Sequence, residues 1–236
     1  MFKRTLRPAL TSLLVLAVVT GLVGPAGART TAVDFGSGAI GDWTGNQHGT
    51  VGDVTEADGT PVADVFVVGD SITTLGRSDL ISAMTAEGHT VAVNYWSGRP
   101  TTPAVDWVLS LTTKPKILVM ATGTNDIFDP SVMTTQINRL LAGVPSTTKV
   151  LWVDTHASRW SEPSAVQVAD QRNSGWVNLQ IHDTMGPDRV IPWSRWLQYR
   201  GKDYINYYLS DGVHPKAGVG TAFWAEVLMK SIRPLL

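Results

Sequence analysis

The sequence predicts a three-layer, doubly wound α/β domain built on a five-stranded parallel sheet. Short runs rich in β-branched residues alternate along the chain with longer amphipathic segments, and strands that alternate with helices are typical of parallel sheets. With 236 residues, 43% of them apolar, the chain is long enough to bury a full core. We therefore expect one main domain, which binds its ligands where the strands end.

Each predicted strand is followed along the chain by a predicted helix. The strands are expected at residues 65–68, 90–94, 116–121, 150–154 and 189–191, and the helices at 75–87, 102–111, 130–141, 163–185 and 216–232.

The first 28 residues have the pattern of an export signal. Lys3, Arg4 and Arg7 precede a mostly apolar run at 9–23, and the small residues that follow favour cleavage after Ala28. The alternative is an uncleaved anchor, although the apolar run is shorter than the ~20 residues that a spanning helix needs. We expect a mature chain that is secreted or associated with the cell envelope, with no stable membrane insertion after signal cleavage.

Composition excludes several classes of protein. The chain has no cysteine, which excludes disulfides, thiolate nucleophiles and Cys-ligated metals. Residues 1–28 hold three of the 19 basic residues and none of the 20 acidic ones, so the predicted mature chain has a net charge of −4. A weakly acidic chain without a basic cluster argues against nucleic-acid binding. Residues 29–64, rich in Gly, Thr and Asp, are predicted to form an extended N-terminal arm or loop before the domain at 65–236.

The stretch VFVVGDSIT, which begins at Val65, ends a predicted strand on Gly-Asp-Ser. Ser71 is then either a cap for the next helix or a nucleophile whose hydroxyl faces the ligand crevice. A nucleophilic serine needs a base, a group that orients the base, and donors for the developing oxyanion. Residues at the other strand ends and loops can supply these groups.

The pentapeptide DGVHP at 211–215 lies just before the last predicted helix. Two side chains three residues apart in a turn can face the same way. His214 can then accept the proton of Ser71 while Asp211 holds the imidazole in the required tautomer. The alternative interpretation is an ordinary solvated turn, because Asp and His beside a glycine also form one.

Donors for an oxyanion follow two other predicted strands. Gly98 lies in NYWSGRP, where the lack of a Cβ lets its N–H approach a substrate closely. Asn125 lies in ATGTNDIF and offers a side-chain amide, and the N–H of Ser71 is a third candidate. Taken singly, the glycine and the asparagine are also common turn residues.

In this order, GDSIT, SG, GTND and DGVHP resemble the four sequence blocks of the SGNH hydrolase superfamily, often called GDSL esterases. The resemblance runs from residue 66 to the C-terminus and departs from the family pattern only where isoleucine replaces the leucine of GDSL. It implies a flavodoxin-like α/β/α fold without a metal or an organic cofactor. It also implies the site roles: Ser71 as nucleophile, His214 as base with Asp211, and Gly98 and Asn125 in the oxyanion hole.

The stretches VLWVDTHASRW, WVN and IPWSRW resemble extracytoplasmic SGNH domains attached to membrane acyltransferases that O-acetylate cell-wall glycans. This resemblance implies a saccharide or polyol ester as substrate. Trp96, Arg99 and Trp160 lie beside strand ends or motif positions and are the candidate substrate-binding residues. The alternative is that the tryptophans belong to the core and that Arg99 only supports a loop.

The expected function is that of a secreted serine ester hydrolase, which forms an acyl-Ser71 intermediate from a small-molecule or glycan ester. One alternative is an O-acyltransferase, which would use the same residues to pass the acyl group to a cell-wall glycan. A second is a non-catalytic glycan-binding protein on a decayed hydrolase fold, against which the intact Ser71, Gly98, Asn125 and His214 argue. The sequence indicates no protein partner.

Overall fold

A six-stranded mixed sheet lies at the centre of the computed structural model, which describes residues 33–54, 62–199 and 201–236. The predicted signal peptide at 1–28 lies outside the described residues. In the unit Val33–Leu236 the strands are β1 (His48–Gly52), β2 (Val65–Gly69), β3 (Val91–Trp96), β4 (Ile117–Ala121), β5 (Lys149–Val153) and β6 (Val190–Ile191).

The strand order β1-β3-β2-β4-β5-β6 places β2 between β3 and β4. Strands β2 to β6 run parallel, as predicted, and β1 pairs antiparallel with β3 at the edge. From β2 the chain passes first to β3 on one side and then to β4 on the other. The carboxyl end of β2 is therefore a topological switch point, where open α/β sheets bind their ligands.

The helices follow the strands as the sequence predicts, with two additions. They are α1 (Ser71–Ala86), α2 (Thr101–Ser110), α3 (Met133–Gly143), α4 (Ser164–Met185), α5 (Trp193–Gln198), α6 (Lys202–Tyr208) and α7 (Val219–Ile232). The short helices α5 and α6 were not predicted. No helix within the described ranges is both long and apolar enough to cross a membrane.

Two buried apolar clusters cover the two faces of the sheet and confirm the three-layer architecture. Val65 and Val67 of β2 pack in the cluster that includes α1 and α7. Phe66 and Val68 pack in the cluster that includes α2, α3 and α4. Successive strand side chains point to opposite faces, and both faces are covered by helices. All five residues of β2 are therefore buried.

The edge strand β1 is the main difference from the predicted sheet, because it lies in the segment expected to be an arm or loop. Its sequence HGTVG contains two glycines and is half-buried at most, so no run of apolar residues marks it as a strand. It forms through pairing with β3, where Thr50 lies opposite Asn94 and Val51 opposite Val93. Nonlocal pairing of this kind cannot be seen in the short segment alone.

Candidate active site

Ser71 is the first residue of α1, directly after the carboxyl end of β2. The helix begins here because the Asp70 carboxylate accepts a hydrogen bond of 3.0 Å from the N–H of Ile72, which caps the first turn. Ser71 itself is half-buried, so its hydroxyl is held by the helix start and yet remains accessible. The predicted helix began at residue 75, one turn later than the observed one.

The side chains of Ser71, His214 and Asp211 form a continuous hydrogen-bonded chain. The Nε2 atom of His214 lies 2.9 Å from the Oγ atom of Ser71, and Nδ1 lies 2.8 Å from Oδ2 of Asp211. When Nδ1–H donates to the Asp211 carboxylate, Nε2 is left to accept the Ser71 proton. The structure thus brings together three residues that are not adjacent in the sequence.

The Asp211 carboxylate is held by backbone as well as by the imidazole. Its Oδ1 atom accepts the N–H groups of Val213 at 3.0 Å and His214 at 2.8 Å. Burial acts to raise the pKa of Asp211, but the hydrogen bonds from His214 and Val213 outweigh it and bring the pKa below its usual value. The carboxylate therefore stays ionised, which is the state that orients a histidine base.

The turn that carries Asp211 and His214 depends on Gly212. Its φ is +87°, and a Cβ atom there would lie 1.9 Å from the carbonyl oxygen of Ser158. The Gly212 carbonyl also accepts the Ser158 N–H at 3.0 Å, and the Asp211 carbonyl accepts the Trp160 N–H at 2.9 Å. The segment that follows β5 therefore fixes this turn in place.

Asn125 lies in a 3₁₀ turn, Thr124–Phe128, that follows β4. Its Nδ2 atom is 3.4 Å from the carbonyl oxygen of Arg99, and its side chain lines the same cavity as Ser71. The neighbouring Asp126 is buried and accepts both the N–H and the hydroxyl of Thr101, at 3.0 and 2.7 Å. Asp126 thereby joins this turn to the first residue of α2.

Gly98 lies in the turn between β3 and α2, with a φ of +83° that favours glycine. The amino-terminal segment covers it: a Cβ at position 98 would lie 2.8 Å from Cβ of Trp43 and 3.2 Å from Nδ2 of Asn46. Within the described part of the chain, the Gly98 N–H donates no hydrogen bond. It is also absent from the lining of the Ser71 cavity.

A cavity of about 200 Å³ opens beside the Ser71 hydroxyl. Sequence reasoning predicted four of its lining residues and missed the rest, which come from the loops after β4 and β5 and from the turn before α7. Arg159 is one that was missed, although it directly precedes Trp160; its guanidinium is held by two 2.8 Å bonds to Asp170. The lining residues are Ser71, Thr124, Asn125, Ile127, Phe128, Arg159, Ser161, Asp211, Val213 and His214.

The three predicted substrate-binding residues lie outside that lining. Arg99 is only 1% exposed and donates to Asn94 and to the Gly69 carbonyl, both at 2.8 Å, so its guanidinium faces the interior. The ring of Trp96 packs against Trp43 and donates to its carbonyl at 3.1 Å.

Trp160 is the most accessible of the three, with 37% of its surface exposed. It lies against the turn that carries His214, because its Nε1 atom would be 2.5 Å from a Cβ built on Gly212.

The interior below Ser71 holds two buried charged groups. Burial raises the pKa of Asp70 to about 6, against the opposing hydrogen bond from Ile72 and the charges of His214 and Arg99. Burial likewise lowers the pKa of Arg99 to about 10, and the charge of Asp70 opposes that shift. The negative charge of Asp70 and the positive charge of Arg99 thus each favour the charged form of the other residue, close to the start of α1.

Comparison with known proteins identifies the fold. No protein-family model and no curated protein matches the chain. Solved structures do match. The C-terminal catalytic domain of Streptococcus pneumoniae peptidoglycan O-acetyltransferase A has a TM-score of 0.50 and 12% identity, over 72% of this chain and 92% of that domain. TesA has a TM-score of 0.53 and 23% identity, over 73% of this chain and 99% of that one.

A single-residue variant of Axe2, an acetyl xylan esterase from Geobacillus stearothermophilus, has a TM-score of 0.54 and 14% identity. The match covers 72% of this chain and 94% of the esterase. At these identities the likeness shows the fold alone. The structural neighbours are SGNH hydrolases, and the chain has the SGNH hydrolase fold that its sequence blocks resemble.

Proposed function

We propose that the chain is an exported serine esterase that cleaves an O-acyl group from a carbohydrate or polyol. The observation that carries this proposal is the hydrogen-bonded chain from Ser71 Oγ through the His214 imidazole to Asp211, with separations of 2.9 and 2.8 Å. These separations are within the reach that proton transfer from a serine to a histidine base requires. The three residues lie at the topological switch point of the sheet, where a substrate has access to them.

In the proposed reaction, Ser71 Oγ attacks the ester carbonyl while His214 Nε2 takes its proton. The tetrahedral oxyanion would be stabilised by the N–H of Ser71, the N–H of Gly98 and Nδ2 of Asn125. His214 then returns the proton to the leaving alcohol, which departs and leaves acyl-Ser71. Water, deprotonated by His214, attacks this intermediate and releases the acid and free Ser71.

The cavity beside Ser71 supports a short acyl group. Its volume of about 200 Å³ lies below the roughly 300–1,000 Å³ of pockets that hold drug-sized ligands. Ile127, Val213 and Phe128 form a small apolar cluster in its wall, which suits a methyl or ethyl group. Arg159, also in the lining, limits the apolar depth, because its charged side chain interrupts the apolar wall that a long acyl chain needs.

Two further observations support an acylated glycan outside the cell. Among the neighbours in fold are an acetyl xylan esterase and a catalytic domain of a peptidoglycan O-acetyltransferase. The amino-terminal pattern of basic, apolar and small residues supports export.

The test is turnover of an aryl acetate by the purified mature chain. We expect hydrolysis by the unsubstituted protein and none above background by Ser71→Ala. A matched control is Ser110→Ala, since Ser110 is at the opposite end of α2 from the site and should not affect turnover. A folded protein without turnover, or equal turnover by Ser71→Ala, would reject the proposal.

An O-acyltransferase is the second candidate, supported by the likeness in fold to the peptidoglycan O-acetyltransferase domain. Both reactions pass through acyl-Ser71, so the acceptor decides the outcome. We rank hydrolysis first because water is the bulk solvent, and an acceptor prevails only if the site binds it and raises its effective molarity. Added oligosaccharide should therefore leave most of the released acetyl as free acetate; mainly acetylated sugar would reverse this ranking.

A further inference from the structure

A second cavity, of about 490 Å³, is bordered by the segment that follows β5 and by residues of α4, α5 and α6. Its volume falls in the range of ligand pockets, and it is distinct from the cavity at Ser71 because the two share no lining residue among those that the structure describes. Its lining residues are His156, Gln171, Ser174, Gly175, Asn178, Ser194, Gln198, Gly201, Lys202 and Ile205.

His156 is the feature that suggests a ligand. The residue is only 7% exposed and lines the cavity, yet within the described part of the chain its imidazole makes no hydrogen bond. Burial lowers the pKa of His156 to about 4, so at neutral pH the ring presents one donor and one acceptor without charge. Since His156 lines the cavity, a ligand or water that enters the cavity can form hydrogen bonds with the imidazole nitrogens.

The backbone around His156 is rigidly placed. The Asn178 amide accepts the N–H of Thr155 and donates to its carbonyl, both at 2.7 Å. On the other side, the Ser158 hydroxyl accepts Nε2 of Gln171 at 2.8 Å. The backbone on both sides of His156 is therefore fixed by hydrogen bonds in which the imidazole takes no part.

Two glutamine side chains of the cavity each use only one of their two polar atoms. Gln171 donates its Nε2 to Ser158, and Gln198 donates its Nε2 to Ser194 at 2.8 Å, which leaves the Oε1 atom of each amide to accept. Among the described residues that line the cavity there is no carboxylate and no phenyl, phenol or indole ring, and Ile205 is the main aliphatic side chain. An apolar ligand would leave these groups unpaired, whereas hydroxyl groups can both donate to and accept from them.

We propose that this cavity binds a saccharide unit, as a subsite for the part of a glycan substrate that does not react. This inference rests on the proposed function for the identity of the reacting ester. The two cavities are linked by one short segment of chain, because His156 lines this cavity and Arg159 lines the one at Ser71. Three residues of extended chain span at most ~11 Å, a distance that a short oligosaccharide can bridge.

The experiment measures binding of unacylated xylotetraose and chitotetraose to the mature chain by isothermal titration and by NMR. We expect binding of at least one of them, retained in Ser71→Ala. His156→Phe keeps a ring in place but removes both polar atoms, and should raise the Kd about three- to tenfold, the effect of one lost hydrogen bond. Gln198→Ala, on exposed α5 surface, provides a second variant that does not depend on core packing.

His89→Phe is the matched control, because it makes the same substitution just before β3, which β2 and β4 separate from β5 in the sheet. It should leave the Kd unchanged. Folded protein that binds neither sugar would overturn the proposal. An unchanged Kd in both Gln198→Ala and His156→Phe, provided that His156→Phe folds, would also overturn it. Binding of inorganic phosphate alone, lost in Lys202→Gln, would also overturn it.

Aryl acetate turnover by the same preparation separates this inference from the proposed function. Sugar binding that depends on His156 and Gln198 in a protein without esterase activity would reject the esterase alone. An active esterase without sugar binding would reject the subsite alone.

Discussion

The imidazole of His214 is oriented by a carboxylate that two backbone N–H groups also hold. His214→Ala removes the base and should lower kcat by at least about 10³-fold, with the fold unchanged because the ring is partly exposed. Asp211→Asn should preserve the turn, since Oδ1 can still accept both N–H groups, but it turns an amide NH2 toward Nδ1 and favours the wrong tautomer, so kcat should also fall by orders of magnitude. Steady-state kinetics with an aryl acetate measure both effects. Full activity of His214→Ala would show that this contact with Ser71 is not catalytic.

Among the described residues, the Asn125 side chain makes one hydrogen bond, a long one of 3.4 Å to the Arg99 carbonyl, so its amide is available to a ligand. If it stabilises the oxyanion, Asn125→Ala should lower kcat by roughly 10²–10³ with little change in KM, because the charge develops only in the transition state. A variant with normal kcat would make Asn125 a turn residue only. Circular dichroism should confirm an unchanged fold.

At the scale of elements, Asp126 joins the turn after β4 to the start of α2 through Thr101. Burial raises its pKa to about 7 from the usual 3.8, and the nearby charges of Asp70 and Asp129 act in the same direction. Between these two values the folded chain binds more protons at Asp126 than the unfolded chain does. Its contribution to the unfolding free energy is therefore full below about pH 4 and is lost as the pH rises to about 7.

Asp126→Asn should accordingly flatten the dependence of stability on pH. The amide oxygen can still accept from Thr101, but the side chain no longer titrates, so stability should fall less between pH 4 and 7 than in the unsubstituted protein. Urea unfolding at several pH values measures the difference. Asp188→Asn, at an exposed position, is the control and should keep the original slope. An unchanged slope in Asp126→Asn would contradict the buried, protonated state.

The five parallel strands could be predicted because each is a short apolar run whose local sequence is sufficient to mark it. The edge strand β1 and the helices α5 and α6 could not. In β1 the sequence HGTVG is weakly apolar, and pairing with β3 determines its structure. Helices α5 and α6 have six and seven residues, too few for a clear helical periodicity, and tertiary packing maintains them.

At the scale of the whole molecule, the small cavity at Ser71 makes a prediction about acyl chain length. The cavity has a volume of about 200 Å³. Its apolar wall consists of Ile127, Phe128 and Val213, and Arg159 lies beside them. We expect kcat/KM to be at least about tenfold higher for an aryl acetate than for an aryl octanoate, since each misplaced methylene costs transition-state binding. Aryl esters of graded chain length test this. Activity that rises with chain length would show that the acyl group lies elsewhere.

The sequence marks several residues that the structure brings together beside Ser71, but not the walls of the cavity. Ser71, Asn125 and His214 could be identified because strand ends and motif spacing mark them. The wall residues Phe128 and Arg159 come from loops whose approach depends on nonlocal contacts, such as the bonds of Arg159 to Asp170. Arg99 was expected at the substrate, yet it lies in the interior because its partners are a strand side chain and a strand carbonyl.

The most direct test of the account is whether Ser71 is an activated nucleophile. His214 Nε2 lies 2.9 Å from its hydroxyl, so this serine should react with a fluorophosphonate while the others do not. Peptide mapping of the labelled mature chain should find the adduct on Ser71 alone, and His214→Ala should prevent its formation. Folded protein that remains unlabelled, or that carries the adduct on another serine, would contradict the account.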